Sequence, residues 1–144
     1  MKKILLLVLM STFLAPSFAN TQSDQLASCM VDSLNGKERK KLAQWIFFAM
    51  SAHPEIEVYS RVTQENRDET DQYIGNLLTR LLTKDCPEQA SAVLKSSNST
   101  GMGNAFRLVG QVAMRELMTN SNVSNAIANF EQHMDSAKIS QLSQ

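Results

Sequence analysis

The stretch from Asn35 to His53 most constrains what this chain can fold into. It opens with Asn35 and Glu38 at capping-box spacing, carries Lys37, Arg39, Lys40 and Lys41 in its first turns, then runs almost wholly apolar until Pro54. In a capping box the Asn35 side chain accepts from the Glu38 backbone N–H while Glu38 reaches back to the Asn35 N–H, so two of the unpaired donors at a helix start are satisfied together. Pro54 pushes the residue before it out of the helical region, which closes the segment. A helix over 36–52 follows. It holds the only Trp and two of the six Phe. Leu42, Trp45, Ile46 and Ala49 make one face and Ala43, Phe47 and Met50 the next. A helix apolar round most of its girth is expected at the centre of a fold.

The N-terminus has the layout of a cleaved secretory leader. Lys2 and Lys3 precede an apolar run too short to span a bilayer, and Ser17-Phe18-Ala19 supplies a small-x-small cleavage signal. The expected organisation is a signal peptide over 1–19 and one helical domain over 20–144. The full chain has 14 basic and 14 acidic residues, and loss of Lys2 and Lys3 leaves a formal charge of −2. Bulk charge therefore argues for neither nucleic acid nor an anionic membrane surface. No second apolar run is long enough for a transmembrane span. The leader points to the bacterial periplasm or the outside.

Leu26-Ala27-Ser28-Cys29 fits a lipobox, whose Cys would be acylated and tether the protein to a membrane. Two features oppose that reading. Polar residues 20–25 separate the apolar run from Cys29, and lipidation would leave Cys86 as an odd thiol in an oxidising compartment. A Cys29–Cys86 disulfide is the simpler expectation, because neither Cys lies in a CxxC motif or near a His in sequence.

Periodicity supplies the other helices. The first covers about 23–34, with Ser23 as cap and Leu26, Cys29, Met30 and Leu34 on one face. Glu55 to Val62 alternates apolar and polar residues, but a lone strand has no partner. It reads as an extended connection that lays Ile56, Val58 and Tyr59 over the bundle. Thr63 caps a third helix reaching about Lys84, with Thr70, Tyr73, Ile74, Leu77, Leu78, Leu81 and Leu82 on one stripe and Gly75 suggesting a close helix crossing. A fourth helix after Pro87 carries Ala90, Val93 and Leu94. The fifth, about 102–118, turns Met102, Phe106, Val109, Ala113 and Leu117 inward, and Gly103 and Gly110 invite a close neighbour. The sixth bears Val123, Ala126, Ile127, Phe130 and Met134, and Asp135 caps a last turn with Ile139 and Leu142. The fold class expected is an all-α, single-domain bundle of five or six helices stapled by one disulfide.

A search for chemistry assigns no catalytic, cofactor-binding or metal-ligating residue. His53 with Glu55 and Glu57 lacks a helical ligand register, so His53 is read as a helix-terminal residue aided by the dipole, and His133 as a hydrogen-bonded, semi-buried residue. No nucleophile elbow or phosphate loop is present. Methionines such as Met114 and Met118 read as core filler rather than copper ligands. The reading is therefore a non-enzymatic protein without cofactors.

Two function classes remain. The favoured one is a small secreted or periplasmic helical protein that binds another envelope or secreted protein as an inhibitor, immunity-type or chaperone-like partner. Its candidate binding face is Lys37, Arg39, Lys40 and Lys41, whose charges oppose the positive end of the helix dipole and so demand a reason. The alternative is a carrier or sensor of an apolar small ligand, in which Trp45, Phe47, Phe48, Phe106 and Phe130 line a cavity between helices. The same residues would equally fill an ordinary core.

Overall fold

The computed structural model describes residues 21–96 and 100–143. The leader expected over 1–19 lies outside the described residues. Within them the chain is all helical, with eight α-helices where five or six were expected: α1 (Gln22–Ser33), α2 (Gly36–Met50), α3 (Pro54–Glu57), α4 (Gln64–Arg80), α5 (Pro87–Lys95), α6 (Gly101–Met118), α7 (Ser121–Ala128) and α8 (Ser136–Ser140). A π-helical turn (Leu81–Asp85) continues α4, and 3-10 segments follow α7 and α8.

Three of the long helices, α1, α2 and α4, start at a capping box. Thr21, two residues before the expected Ser23, caps α1: its hydroxyl accepts from Asp24 N–H at 3.2 Å while the Asp24 carboxylate accepts from Thr21 N–H at 3.2 Å. Asn35 and Glu38 form the expected box on α2, each bond 3.0 Å, and Thr63 with Asn66 repeats the motif on α4. The extra short helix α3 replaces the expected extended connection. His53 Nδ1 accepts from Glu55 N–H at 3.2 Å, and Pro54 occupies the first helical position, where its missing N–H costs nothing. His53 therefore starts a helix instead of closing one. Ile56, Val58 and Tyr59 are exposed rather than packed over the bundle.

The core is drawn from α1, α2, α4, the π turn, α5 and α6. Its centre is α1, not α2. Leu26 and Met30 on α1 are wholly buried, as are Leu81 on the π turn and Cys86. On α2 the buried apolar residues are Leu42 and Ala43, while Phe47 and Met50 lie about half exposed. The Cys29–Cys86 disulfide joins α1 to the start of α5, and the Ser33 hydroxyl donates to Cys86 Sγ at 3.9 Å. α2 turns back from α1 across Leu34 and Asn35, and α4 runs antiparallel to α2: Arg80 meets Glu38 at one end and Asp71 meets Trp45 further along.

The buried stripe of α6 is Gly101, Ala105, Val109 and Ala113: Val109 and Ala113 lie inward as expected, while Gly101 and Ala105 are buried in place of the expected Met102, Phe106 and Leu117. Small side chains at every fourth position let α1 and α2 close on this helix, and the larger Met102, Phe106, Leu108 and Leu117 flank the contact half-buried. The tight approach falls at Gly101, where an added Cβ would lie 3.0 Å from Val93 Cγ1 and 3.3 Å from Ser23 Oγ. Gly75 and Gly103 have no such neighbour within 4 Å, and at Gly110 a Cβ would meet Ile46 Cδ1 at an ordinary 3.9 Å. The expected close crossings at Gly75 and Gly103 are thus absent.

The chain from Thr119 onward stays outside this core. Ile127, Phe130, Met134, Ile139, Leu142 and His133 are exposed, so that among the described residues only Val123 of the expected sixth helix's apolar side is half-buried, where α7 meets α6, and His133 is not semi-buried.

Candidate functional site

The first turns of α2 are held by an ion-pair node. Glu38, 7% exposed, accepts from Arg80 Nη1 at 2.7 Å through Oε1, while its Oε2 closes the Asn35 cap. Arg80 Nε donates to Asp85 Oδ2 at 2.8 Å, and Nη2 lies 3.4 Å from the Ser33 carbonyl. The π turn places Asp85 within this reach, five residues beyond Arg80. Together with Ser33 and Asn35 these groups line a surface cleft of about 440 Å³. The Arg80 hydrogen bond holds the Glu38 carboxyl below the usual range against the opposing effect of burial, and the same bond raises Arg80.

The node has an acid-labile contribution. Glu38 is favoured as the anion in the folded state, so its stabilisation is complete above the unfolded value of about 4.3 and is lost as pH falls through the lower folded value. Glu38→Gln should cost on the order of 1 kcal/mol at neutral pH, with a constant gap to the native protein from pH 7 to 5 that closes in the acid limb. Urea midpoints across that range check it; a gap unchanged down to pH 2 would remove Glu38 from the acid response.

Glu38 also forms no ion pair with the basic residues around it. Its negative charge is committed to Arg80 instead of to Lys37, Arg39 or Lys40, for which the described residues offer no ion-pair partner. At about 100° per residue Lys37, Lys40 and Lys41 share one side of α2, whereas Arg39 falls with Leu42 and Ala43 and is half-buried. Lys37 and Lys40 are exposed. Lys41 leans toward α4, donating to Gln44 Oε1 at 2.9 Å with its ammonium 6.0 Å from the Tyr73 ring centre. The four basic residues thus do not form one face: three do, and Arg39 stands apart. The wheel position of Arg39 was readable from its spacing to Leu42; the Glu38–Arg80–Asp85 node, spanning distant parts of the chain, had no sequence signal beyond the cap.

The five aromatic candidates do not converge. Trp45 is half-buried, and its indole N–H donates to Asp71 Oδ1 at 2.6 Å. Phe47 and Phe48 sit with ring centres 6.2 Å apart; Phe48 borders a groove with Gln44, Asn66 and Tyr73, while Phe47 faces outward. Phe106 packs on the core, and Phe130 lies in the exposed 3-10 segment Asn129–His133. Among the described residues no group of three or more His, Cys, Asp or Glu could hold a metal ion, and no helix is long and apolar enough to cross a membrane.

The fold and this node define an all-helical, disulfide-bonded protein that presents a cationic helix start. Comparison with protein-family models, curated proteins and solved structures returns no match.

Proposed function

We propose that this is a non-enzymatic secreted or periplasmic protein, carried through export by the leader at 1–19, which binds an acidic surface of another envelope or secreted protein through Lys37, Lys40 and Lys41. The observation that carries the reading is the rigid, uncompensated charge at the start of α2. The Asn35 box and the Glu38–Arg80–Asp85 pairs fix the backbone there, so little ordering entropy is lost when a partner engages it. Complementary charge of this kind speeds encounter and selects partners more than it adds affinity. The disulfide fits an oxidising compartment. The carrier reading has less support, since Phe47 and Phe130 face solvent.

The expected result of Lys37→Glu with Lys40→Glu is loss of the partner cross-linked to the native protein in the envelope fraction, with helical content and unfolding midpoint unchanged. Binding should weaken with salt, and Lys95→Glu on α5, also exposed, should leave it intact. Retention of every partner by the double variant would end the proposal.

A further inference from the structure

Among the described residues two groups of exposed apolar side chains stand out, and neither belongs to the basic site. One is formed by Phe47 and Met50 at the end of α2 with Ile56, Val58 and Tyr59 around α3; Val58 is 77% and Tyr59 88% exposed. The other is the C-terminal arm, residues 120–143, which exposes Ile127, Phe130, Met134, Ile139 and Leu142. We infer that the protein pairs with a second copy of itself by reciprocal exchange, each arm covering the Phe47–Tyr59 surface of the other chain.

The arm is held away from its own body by a built joint. Asn120 Oδ1 accepts from Asn122 N–H at 3.0 Å and Val123 N–H at 3.4 Å, and the Ser124 hydroxyl donates to the Met118 carbonyl at 2.8 Å. These bonds set the direction in which α7 leaves α6, so the exposure of the arm follows from a defined turn. Its root is also remote from the other apolar surface. Asp32 and Arg115 border one groove, which places the end of α6 beside the α1–α2 turn. Phe47 and Met50 lie at the opposite end of α2, about 20 Å away for a helix of this length.

Area and charge indicate a second copy. Large apolar side chains present up to roughly 200 Å² each, so these residues offer on the order of 500 Å² on each surface, the size of the largest single patch on an ordinary monomer, and on the order of 1,000 Å² per chain over the two. Reciprocal pairing would cover on the order of 2,000 Å², within the range of stable homodimers. The arm is nearly free of net charge: Asp135 and Lys138 pair at 2.9 Å, leaving Glu131 and no unpaired Lys or Arg. It lacks the basic rim of a helix that lies on an anionic membrane. Both halves of the interface occur on one chain, and a two-fold arrangement uses each half twice and leaves none open.

Sedimentation equilibrium of the purified, oxidised protein should give twice the chain mass at micromolar concentration. Ile127→Asp with Phe130→Asp in the arm, and separately Val58→Asp with Tyr59→Asp in the receiving surface, should each weaken dimerisation by about 100-fold or more while leaving the unfolding midpoint of the monomer in place. An equimolar mixture of the two variants should recover heterodimers, since one intact arm meets one intact surface. A native protein that stays monomeric to about 100 μM, species that keep growing with concentration, dimers that survive both pairs of substitutions, or variants that fail to complement would each overturn the proposal.

Discussion

Replacing Cys29 and Cys86 together with alanine is expected to remove about 4 kcal/mol of stability. The bridge closes a loop of 57 residues, and a cross-link of that span restricts the unfolded chain by about 4 kcal/mol in the chain-entropy account. The native state adds to the effect, because Cys86 is wholly buried and Cys29 lies on the helix at the centre of the core. Alanine leaves space where the sulfurs packed and frees the π turn from α1. For a domain of this size the loss corresponds to a fall in Tm of roughly 10–20 °C. Urea unfolding of the double variant beside the oxidised protein provides the measurement. A difference under about 1 kcal/mol would mean that the unfolded chain is already held compact or that the bridge is strained in the fold.

Leu26→Ala is expected to cost about 3 kcal/mol. The side chain is wholly buried on α1, a helix packed against α5, α6 and the π turn, and a Leu truncated in such a place loses its transfer energy and leaves a cavity. Phe47→Ala serves as the contrast. Despite its larger ring it is about half exposed at the end of α2, and the monomer should lose well under half as much. If the two values came out reversed in a monomeric background, α2 rather than α1 would be the centre of the core.

That contrast marks a limit of reading apolar pattern alone. The girdle of α2 is apolar on nearly every side, yet only Leu42, Ala43 and the capped Glu38 are buried along it, because α6 meets it at Ile46 and α4 at Phe48, and Phe47 lies off both of those sides. In α6 the same reasoning placed Val109 and Ala113 correctly on the inner face but joined to them the large Met102, Phe106 and Leu117, where the fold buried Gly101 and Ala105. Hydrophobicity ranks side chains by size, whereas a close helix contact selects small ones. The arm is a further case. Its period is helical and its apolar residues are correctly spaced, but spacing says only that a face exists, not whether anything within the same chain covers it.

Local chemistry was legible directly in the residues. The box at Asn35, the caps at Thr63 and Asp135, the break at Pro54 and the pairing of Cys29 with Cys86 rest on short-range geometry or on the count of cysteines, and each stands in the fold. All-helical architecture followed as well, since 3.6-residue periodicity recurs along the chain. Assembly in space was needed for the rest. It joined α1 and α2 through α6, buried the large side chains of α1, drew Arg80 from α4 to Glu38, and thereby left Lys37 and Lys40 without a compensating carboxylate among the described residues. It also held the residues from Asn120 onward off the body. Caps and periods depend on neighbours a few positions apart, which a sequence displays; burial and ion pairing depend on which helices meet, and that is settled by packing all of them at once.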